Sequence, residues 1–478
     1  MGDFYIGLNL SALIGMVMSK QQALASVRHH FADGYFEADL RRRVAIRSES
    51  QAPGQAPELT RYLQEEIQPA LERMGFECQP LENPKGAGPL LFASRHEGAD
   101  LPTVLTYGHG DVVLGYAEQW REGLDPWMLT VEGDRWYGRG TADNKGQHSI
   151  NLAALEAVIE ARGGRLGFNI KVLFETGEEC GSPGLREACT EHRQLLQADL
   201  FIASDGPRLS DSRPTIFLGS RGSALFSLEV QARDKGLHSG NWGGVMSNPA
   251  VVLANALASL VDQNGQMLCR GLVPSSIPDS VREAIHDLGI HQHSLGRALD
   301  VDWGEPGLTL GERLFAWNTL EILAFTAGNP AKPVNAIPPS AVAHCQLRFV
   351  VGTDWKNLET LLRQHLDAAG FHGVNIVMDR CTPSTRLDPD NPWVRFAKKV
   401  ISDTTPRQLA VLPNLAGTLP NDIFADVLGL PTLWIPHSYP GCSQHAPDEH
   451  LLGSVVLEGL QIMTALFWEL GDAAQTHA

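Results

Sequence analysis

Thr103-Val104-Leu105-Thr106-Tyr107-Gly108-His109-Gly110-Asp111 is a short apolar run that leads directly into a glycine-flanked histidine and a carboxylate. The run is rich in β-branched and aromatic residues and too short for a helix, so it predicts a buried strand. Two runs of the same kind follow, Phe168–Phe174 and Leu200–Ala203, and a fourth, Thr432–Ile435, lies near the C-terminus. A helix-like segment, 146–162, separates the first two. This alternation predicts an α/β fold with a parallel sheet sandwiched by helices. Polar residues follow each run at once, and open α/β sheets bind ligands beyond their strand ends.

Other segments fit the same architecture. Leu59, Leu63, Ile67 and Leu71 recur every four residues and predict an early amphipathic helix, with Pro69 kinking it near its end. Leu452, Val455, Val456, Leu460, Met463, Leu466, Phe467 and Leu470 predict an apolar stripe on a C-terminal helix. Between these halves the chain changes rhythm. It reads as strand 224–232, a helix capped by Asn248 with Pro249 at its first position, strand 342–350, helix 355–369 stopped by Gly370, and strand 374–379. The expected organisation is therefore a sheet-and-helix catalytic domain over 19–218 and 382–478, with an α+β domain inserted at 219–381. The Gly-, Pro- and His-rich stretch 263–338 is read as an elaboration of the insert.

Bulk properties narrow the function. With 478 residues, 43% of them hydrophobic, the chain can build more than one core. A net charge of −17 and no basic run argue against nucleic acid. Seven scattered cysteines without a C-x-x-C pair fit a reducing cytoplasm and suggest neither disulfides nor a thiolate metal site. The apolar stretch Tyr5 to Met18 is interrupted by Asn9, Ser11 and two glycines and follows Asp3, so it reads as neither signal peptide nor membrane span. Met18 as initiator, or residues 1–17 as a packing arm, both remain open.

Five segments end in residues able to hold a metal: His109 in Gly108–Asp111, Asp143 in Thr141–Asn144, Glu179 in Gly177–Glu179, Asp205 in Ser204–Gly206, and His445 in Gln444–Ala446. Two imidazoles and three carboxylates suit zinc, manganese or cobalt, and two such ions can share a carboxylate. Singly, each segment has an ordinary reading: a turn histidine, a helix cap by Asp143 or Asn144, a solvated acidic loop, a turn aspartate. His437 and His450 compete with His445, and His148 reads as structural. Taken together the set points to hydrolysis, with Asp111 orienting His109 and Glu178 taking a proton from the attacking water and passing it to the leaving amine.

The ordered segments Gly108-His109-Gly110-Asp111, Gly140–Gly146, Gly177-Glu178-Glu179-Cys180-Gly181-Ser182, Ser204-Asp205-Gly206 and His445-Ala446-Pro447-Asp448-Glu449 resemble the dinuclear zinc metallopeptidases of family twenty. That group includes carnosinase-type dipeptidases, carboxypeptidase G and acetylornithine deacetylase. The resemblance implies two divalent ions, zinc or alternatively manganese or cobalt. Asp143 would bridge them through a cis peptide to Asn144, with Glu179 and His445 completing one site and His109 and Asp205 the other. Glu178 would be the general base. Gly236-Leu237-His238-Ser239-Gly240 resembles the family's lid and dimerisation segment, which implies a homodimer in which His238 reaches the partner's active site. Asn335-Ala336-Ile337-Pro338, Arg348, Gly417 and Thr418 resemble positions that grip the substrate carboxylate, for which a guanidinium fork is suited.

The expected activity is hydrolysis of an amide bond in dipeptides with a free C-terminal carboxylate. An N-acyl-amino-acid deacylase is the alternative on the same scaffold. A carbamoyl-amide hydrolase fits less well, because that branch places a histidine where this chain has Asp205. A catalytically silent metal- or peptide-binding protein would have no need for Glu178.

Overall fold

In the computed structural model, which describes residues 19–295 and 298–476, the strand Thr103–His109 lies near the middle of an eight-stranded sheet. Both expectations for the first residues, the initiator and the packing arm, fall outside the described residues. Thr103–His109 pairs in parallel with Asn169–Glu175 on one side and Leu200–Ala203 on the other. Thr432–Trp434 continues the sheet in parallel beyond Leu200–Ala203. The sheet as a whole is mixed: Glu77–Leu81 and Leu90–Arg95 join antiparallel at one edge.

Alternate residues of the central strands face opposite cores, the period-2 pattern of a strand covered on both sides. Val104, Val172 and Ile202 pack with Ile150, Leu155 and Val158 of the helix Lys145–Ala161. Leu105, Leu173 and Phe201 pack with Leu185 and Ala188 of the helix Leu185–Glu191. Consecutive crossovers thus run on opposite faces, which opens a crevice past the strand ends where His109, Glu178 and Asp205 emerge.

The C-terminal helix Gly453–Thr476 buries Val455, Val456, Leu460, Met463, Leu466, Phe467 and Leu470 against the helix Lys145–Ala161 and its neighbours. A fully buried side chain of this size contributes about 1.5–3 kcal/mol. Leu452 falls outside that helix, in the strand His450–Leu452. The early helix is interrupted as expected, through a π-helical stretch at Tyr62–Ile67 that ends just before Pro69, which has no N–H to continue the ladder.

Gly222–Gln231, Thr319–Ala327, Ser340–Phe349 and Asn375–Thr382 form a separate four-stranded antiparallel sheet. One face is covered by the helices Pro249–Leu260 and Leu358–Ala368. Asn248 caps the first of these, its Oδ1 accepting from the Ala250 N–H at 3.0 Å. The stretch 263–338 divides its packing. Met267, Cys269, Leu272 and Leu320 belong to the core of this smaller sheet, whereas Val281, Ile285, Leu288 and Phe315 belong to the core beneath the large one. It also contains the strand Thr319–Ala327, which the sequence pattern did not reveal because most of its side chains are exposed. No described helix is long and apolar enough to cross a membrane.

Candidate metal centre

The site is assembled from four loops at the C-terminal ends of the large sheet and a fifth tied in by a three-stranded ribbon. His450–Leu452 pairs with Arg135–Tyr137, which pairs with Thr130–Glu132. This ribbon fixes the His445 loop opposite the glycine-rich loop that carries Asp143. His445 itself has φ of +58°, a left-handed conformation that aims its ring inward.

All five expected ligands converge in two groups that share one residue. His109, Asp143 and Asp205 form the first; Asp143, Glu179 and His445 form the second. His109 Nε2 stands 3.0 Å from Asp143 Oδ1 and 3.5 Å from Asp205 Oδ2. His445 Nε2 stands 3.0 Å from the other oxygen, Asp143 Oδ2, and 3.1 Å from Glu179 Oε2. Each oxygen of Asp143 therefore faces a different imidazole. The Asp143–Asn144 peptide is cis.

The donor set fits divalent cations. Among the described residues, Glu179 Oε1 and Asp205 Oδ2 are buried and accept no hydrogen bond, an arrangement that a buried carboxylate tolerates when a cation balances it. Burial, with repulsion from Asp143 and against the pull of His445, lifts Glu179 to about 7. Burial and Asp143 likewise raise Asp205, against His109. Hydrogen bonds to Asp143 and Glu179 hold the His445 ring up to about 11 despite partial burial.

The sign of the pH dependence follows. A carboxyl raised from 4.5 to about 7 contributes stability to the metal-free fold at low pH and loses it as pH rises through about 7. A bound cation removes that loss. Zinc or manganese added to metal-free protein is therefore expected to raise the melting temperature more near pH ~8 than near pH ~5.5. A differential scanning fluorimetry series with each metal checks this, and a metal shift independent of pH counts against the ligand set.

Neighbouring residues hold the ligands in place. The Asp111 carboxylate accepts from the backbone N–H of Glu178 at 3.2 Å and of Glu179 at 3.1 Å, pinning the acidic turn. His109 Nδ1 lies 3.4 Å from the Asp111 carboxylate and 3.1 Å from its main-chain oxygen, so Asp111 orients the ring mainly through its backbone. Asn144 does not cap its helix. Its Nδ2 donates to Ser204 O at 2.7 Å and its Oδ1 meets His148 Nδ1 at 3.0 Å. His148 is buried and also contacts Tyr62 Oη at 2.7 Å. His437 is buried, its ring nitrogens without a polar partner among the described residues, and His450 bonds Tyr439 Oη at 2.6 Å, so neither displaces His445.

Two supports carried no recognisable signal in the sequence. Glu449 accepts from Gly140 N at 3.1 Å, Ala142 N at 2.9 Å and Asp143 N at 3.1 Å, while Arg139 Nη1 pairs with it at 2.7 Å. Gln444 Nε2 donates to Asp143 Oδ2. In the sequence Glu449 is only the last residue of the His445–Glu449 segment, and Gln444 only the neighbour of His445.

A cleft of ≈ 670 Å³ opens beside the ligands, lined among others by Glu178, Glu179, His445 and Thr418 from the large-sheet half and Arg380 to Thr382 from the small sheet. Arg348 Nη1 donates to Thr418 Oγ1 at 2.6 Å, bringing two of the expected carboxylate-gripping residues together. Gly417 adjoins Thr418 in sequence, and neither Gly417 nor Arg348 lines the cleft itself. His238 and Asn335 are elsewhere: His238 pairs with Ala336 in the ribbon Leu237–His238/Ala336–Ile337, and Asn335 immediately precedes that ribbon's second strand. Ser239 N donates to Asn335 O at 3.0 Å, and His238 is exposed, its Nδ1 accepting from Gly240 N at 3.2 Å.

Paired ligand groups sharing one carboxylate, with a further carboxylate at their edge, form a candidate metal centre in an α/β crevice, the arrangement of a metal-dependent hydrolase. The chain belongs to peptidase family M20/M25/M40, whose sequence profile matches residues 105–469. It is 32% identical to the mouse Beta-Ala-His dipeptidase over 97% of this chain and 99% of that one. It is 26% identical to the Cysteinylglycine-S-conjugate dipeptidase of Corynebacterium striatum, over 73% and 76% of the two chains. Its fold matches an M20 family metallo-carboxypeptidase from Sulfolobus solfataricus with TM-score 0.77 and 25% identity, covering 91% of this chain and 99% of that one.

Proposed function

We propose that this peptidase hydrolyses dipeptides bearing a free C-terminal carboxylate, with two divalent cations, zinc being the first candidate, held by His109, Asp143, Glu179, Asp205 and His445. The observation that carries the reading is Asp143, whose two oxygens each face one imidazole. The dipeptidase names of the relatives support dipeptides over N-acyl amino acids.

In this reading His109 and Asp205 hold one cation, Glu179 and His445 the other, and Asp143 both. The cations supply Lewis acidity, making water acidic and polarising the scissile carbonyl. Glu178 takes the proton of the attacking water and delivers it to the departing amine. Asp111 keeps His109 and the Glu178–Glu179 turn in register. Arg348 and Thr418, with Gly417, hold the substrate carboxylate. His238 of the partner subunit stabilises the tetrahedral oxyanion, and Asn335 joins the residues that grip the substrate carboxylate. The expected division into a catalytic domain over 19–218 and 382–478 and a lid over 219–381 is kept as part of the proposal. Seven unpaired cysteines support a cytoplasmic setting.

The deciding experiment incubates purified protein, with zinc or manganese restored, with dipeptides and N-acyl amino acids and measures released amine. Cleavage of dipeptides supports the proposal, and cleavage confined to N-acyl compounds sinks it. Silence of metal-loaded protein across the panel would revive a binding role.

The homodimer has its own support. Thr319–Ala327 is a free edge of the small sheet, and Ile322, Leu323 and Phe325 on it are 44%, 57% and 43% exposed. An edge of this length and apolarity normally finds a partner. Leu323→Asp is expected to leave a monomer by analytical ultracentrifugation. Its turnover is expected to fall by about 10²–10³-fold, the effect of losing one oxyanion donor, and to match that of His238→Ala. A fully active monomer would remove His238 from the mechanism.

A further inference from the structure

The lid side of the cleft carries a cation that nothing in the proposed mechanism uses. Arg380 lines the cleft with Glu178, Glu179 and His445. Among the described residues it has no hydrogen-bond or ion-pair partner. The other basic side chains lining the cleft are engaged: Lys85 pairs with Glu187 at 2.7 Å and Arg186 with Asp422.

Two features of the backbone deliver Arg380 to this place. The strand Asn375–Thr382 loses register against Gly222–Gln231 between Met378 and Cys381, and such irregularities redirect a side chain. Opposite, Gly181 has φ of +84°, and a Cβ there would sit 2.8 Å from Arg380 Nη1. The absence of a side chain at Gly181 leaves room for the guanidinium beside the turn that carries Glu179.

The site's own carboxylates do not explain it. Asp143, Glu179 and Asp205 are accounted for by the cations, and none of them forms an ion pair with Arg380. Arg348 and Thr418 already serve the terminal carboxylate in the proposed mechanism. A free guanidinium facing a substrate cleft in a chain of net charge −17 calls for an anion brought by the substrate.

We infer that Arg380 is a specificity-determining residue that binds an acidic side chain of the substrate, so that this chain prefers dipeptides containing a glutamyl or aspartyl residue. The inference rests on the dipeptidase reading above. The guanidinium fork matches a carboxylate through two parallel hydrogen bonds and discriminates against the isosteric amide.

The test compares kcat/KM for Glu/Gln pairs of dipeptides, with the variable residue at either position, in metal-loaded wild type, Arg380→Ala and Arg380→Glu. Wild type is expected to favour the Glu member of one pair by about 10-fold or more, Arg380→Ala to lose that preference, and Arg380→Glu to shift it toward a Lys-containing dipeptide. Arg380 is exposed and unpartnered, so these variants are expected to fold, and a ratio of substrates cancels any general loss of active protein. An unchanged Glu/Gln ratio in the variants overturns the inference while leaving the dipeptidase intact. Equal losses on all dipeptides reassign Arg380 to the terminal carboxylate. Silence of wild type toward every dipeptide overturns the proposed function and this inference together.

Discussion

Glu178→Gln is expected to lower kcat by about 10²–10⁴-fold with two cations still bound and KM little changed. Glu178 belongs to neither ligand group, yet its N–H is pinned by Asp111 and its side chain lines the cleft. Burial, opposed by His109 and reinforced by Asp205, Glu179 and Asp143, holds its carboxyl well above the ordinary range in the metal-free chain. Cations in the two ligand groups would cancel the repulsion from those carboxylates and leave Glu178 ready to accept a proton. The substitution removes the proposed proton acceptor without changing shape. Metal analysis beside steady-state kinetics separates the outcomes: undiminished turnover dismisses Glu178 as the base, and loss of metal moves it into the ligand set.

Glu449→Ala is expected to have the largest effect on stability. The change strands Arg139, which is fully buried, and removes the acceptor shared by the backbone N–H groups of Gly140, Ala142 and Asp143. Breaking a buried ion pair from one side costs about 3–5 kcal/mol. The loop that loses its anchor is the one presenting Asp143, so metal affinity is expected to fall with stability. Denaturant unfolding of the metal-free and metal-loaded forms checks both. A variant as stable as wild type that binds metal normally would show the Glu449 contacts to be dispensable.

The contrast between Glu178 and Glu449 explains what could be read from sequence. Ligands follow strand ends, where a run such as Leu200–Ala203 stops and Asp205 appears, so chemistry and local pattern point to the same residues. The same holds for the helix Lys145–Ala161 and the capped helix after Asn248. Glu449 acts on backbone groups about 300 positions away in the chain, and no spacing rule links a carboxylate to distant N–H groups. Thr319–Ala327 escaped for a different reason: strand patterns are recognised by alternating burial, and most of this strand is exposed. His238 and Asn335 show a third limit. Only resemblance points to them, and in a single chain His238 lies in a small ribbon with Asn335 just before it, neither of them lining the cleft.

The join between the Asp143 loop and Glu449 also sets an order of events during synthesis. Ala142 and Glu449 lie 307 positions apart, and the whole inserted sheet is made between them. Contacts so distant in sequence form late, because a long stretch must close before they yield any stabilisation. A chain emerging from the ribosome can complete its first strands and fold its insert while His445 and Glu449 are still unmade. Assembly of the site is therefore expected only once the segment carrying His445 and Glu449 has been made, because a chain stopped before it lacks both the proposed ligand and the anchor of the Asp143 loop.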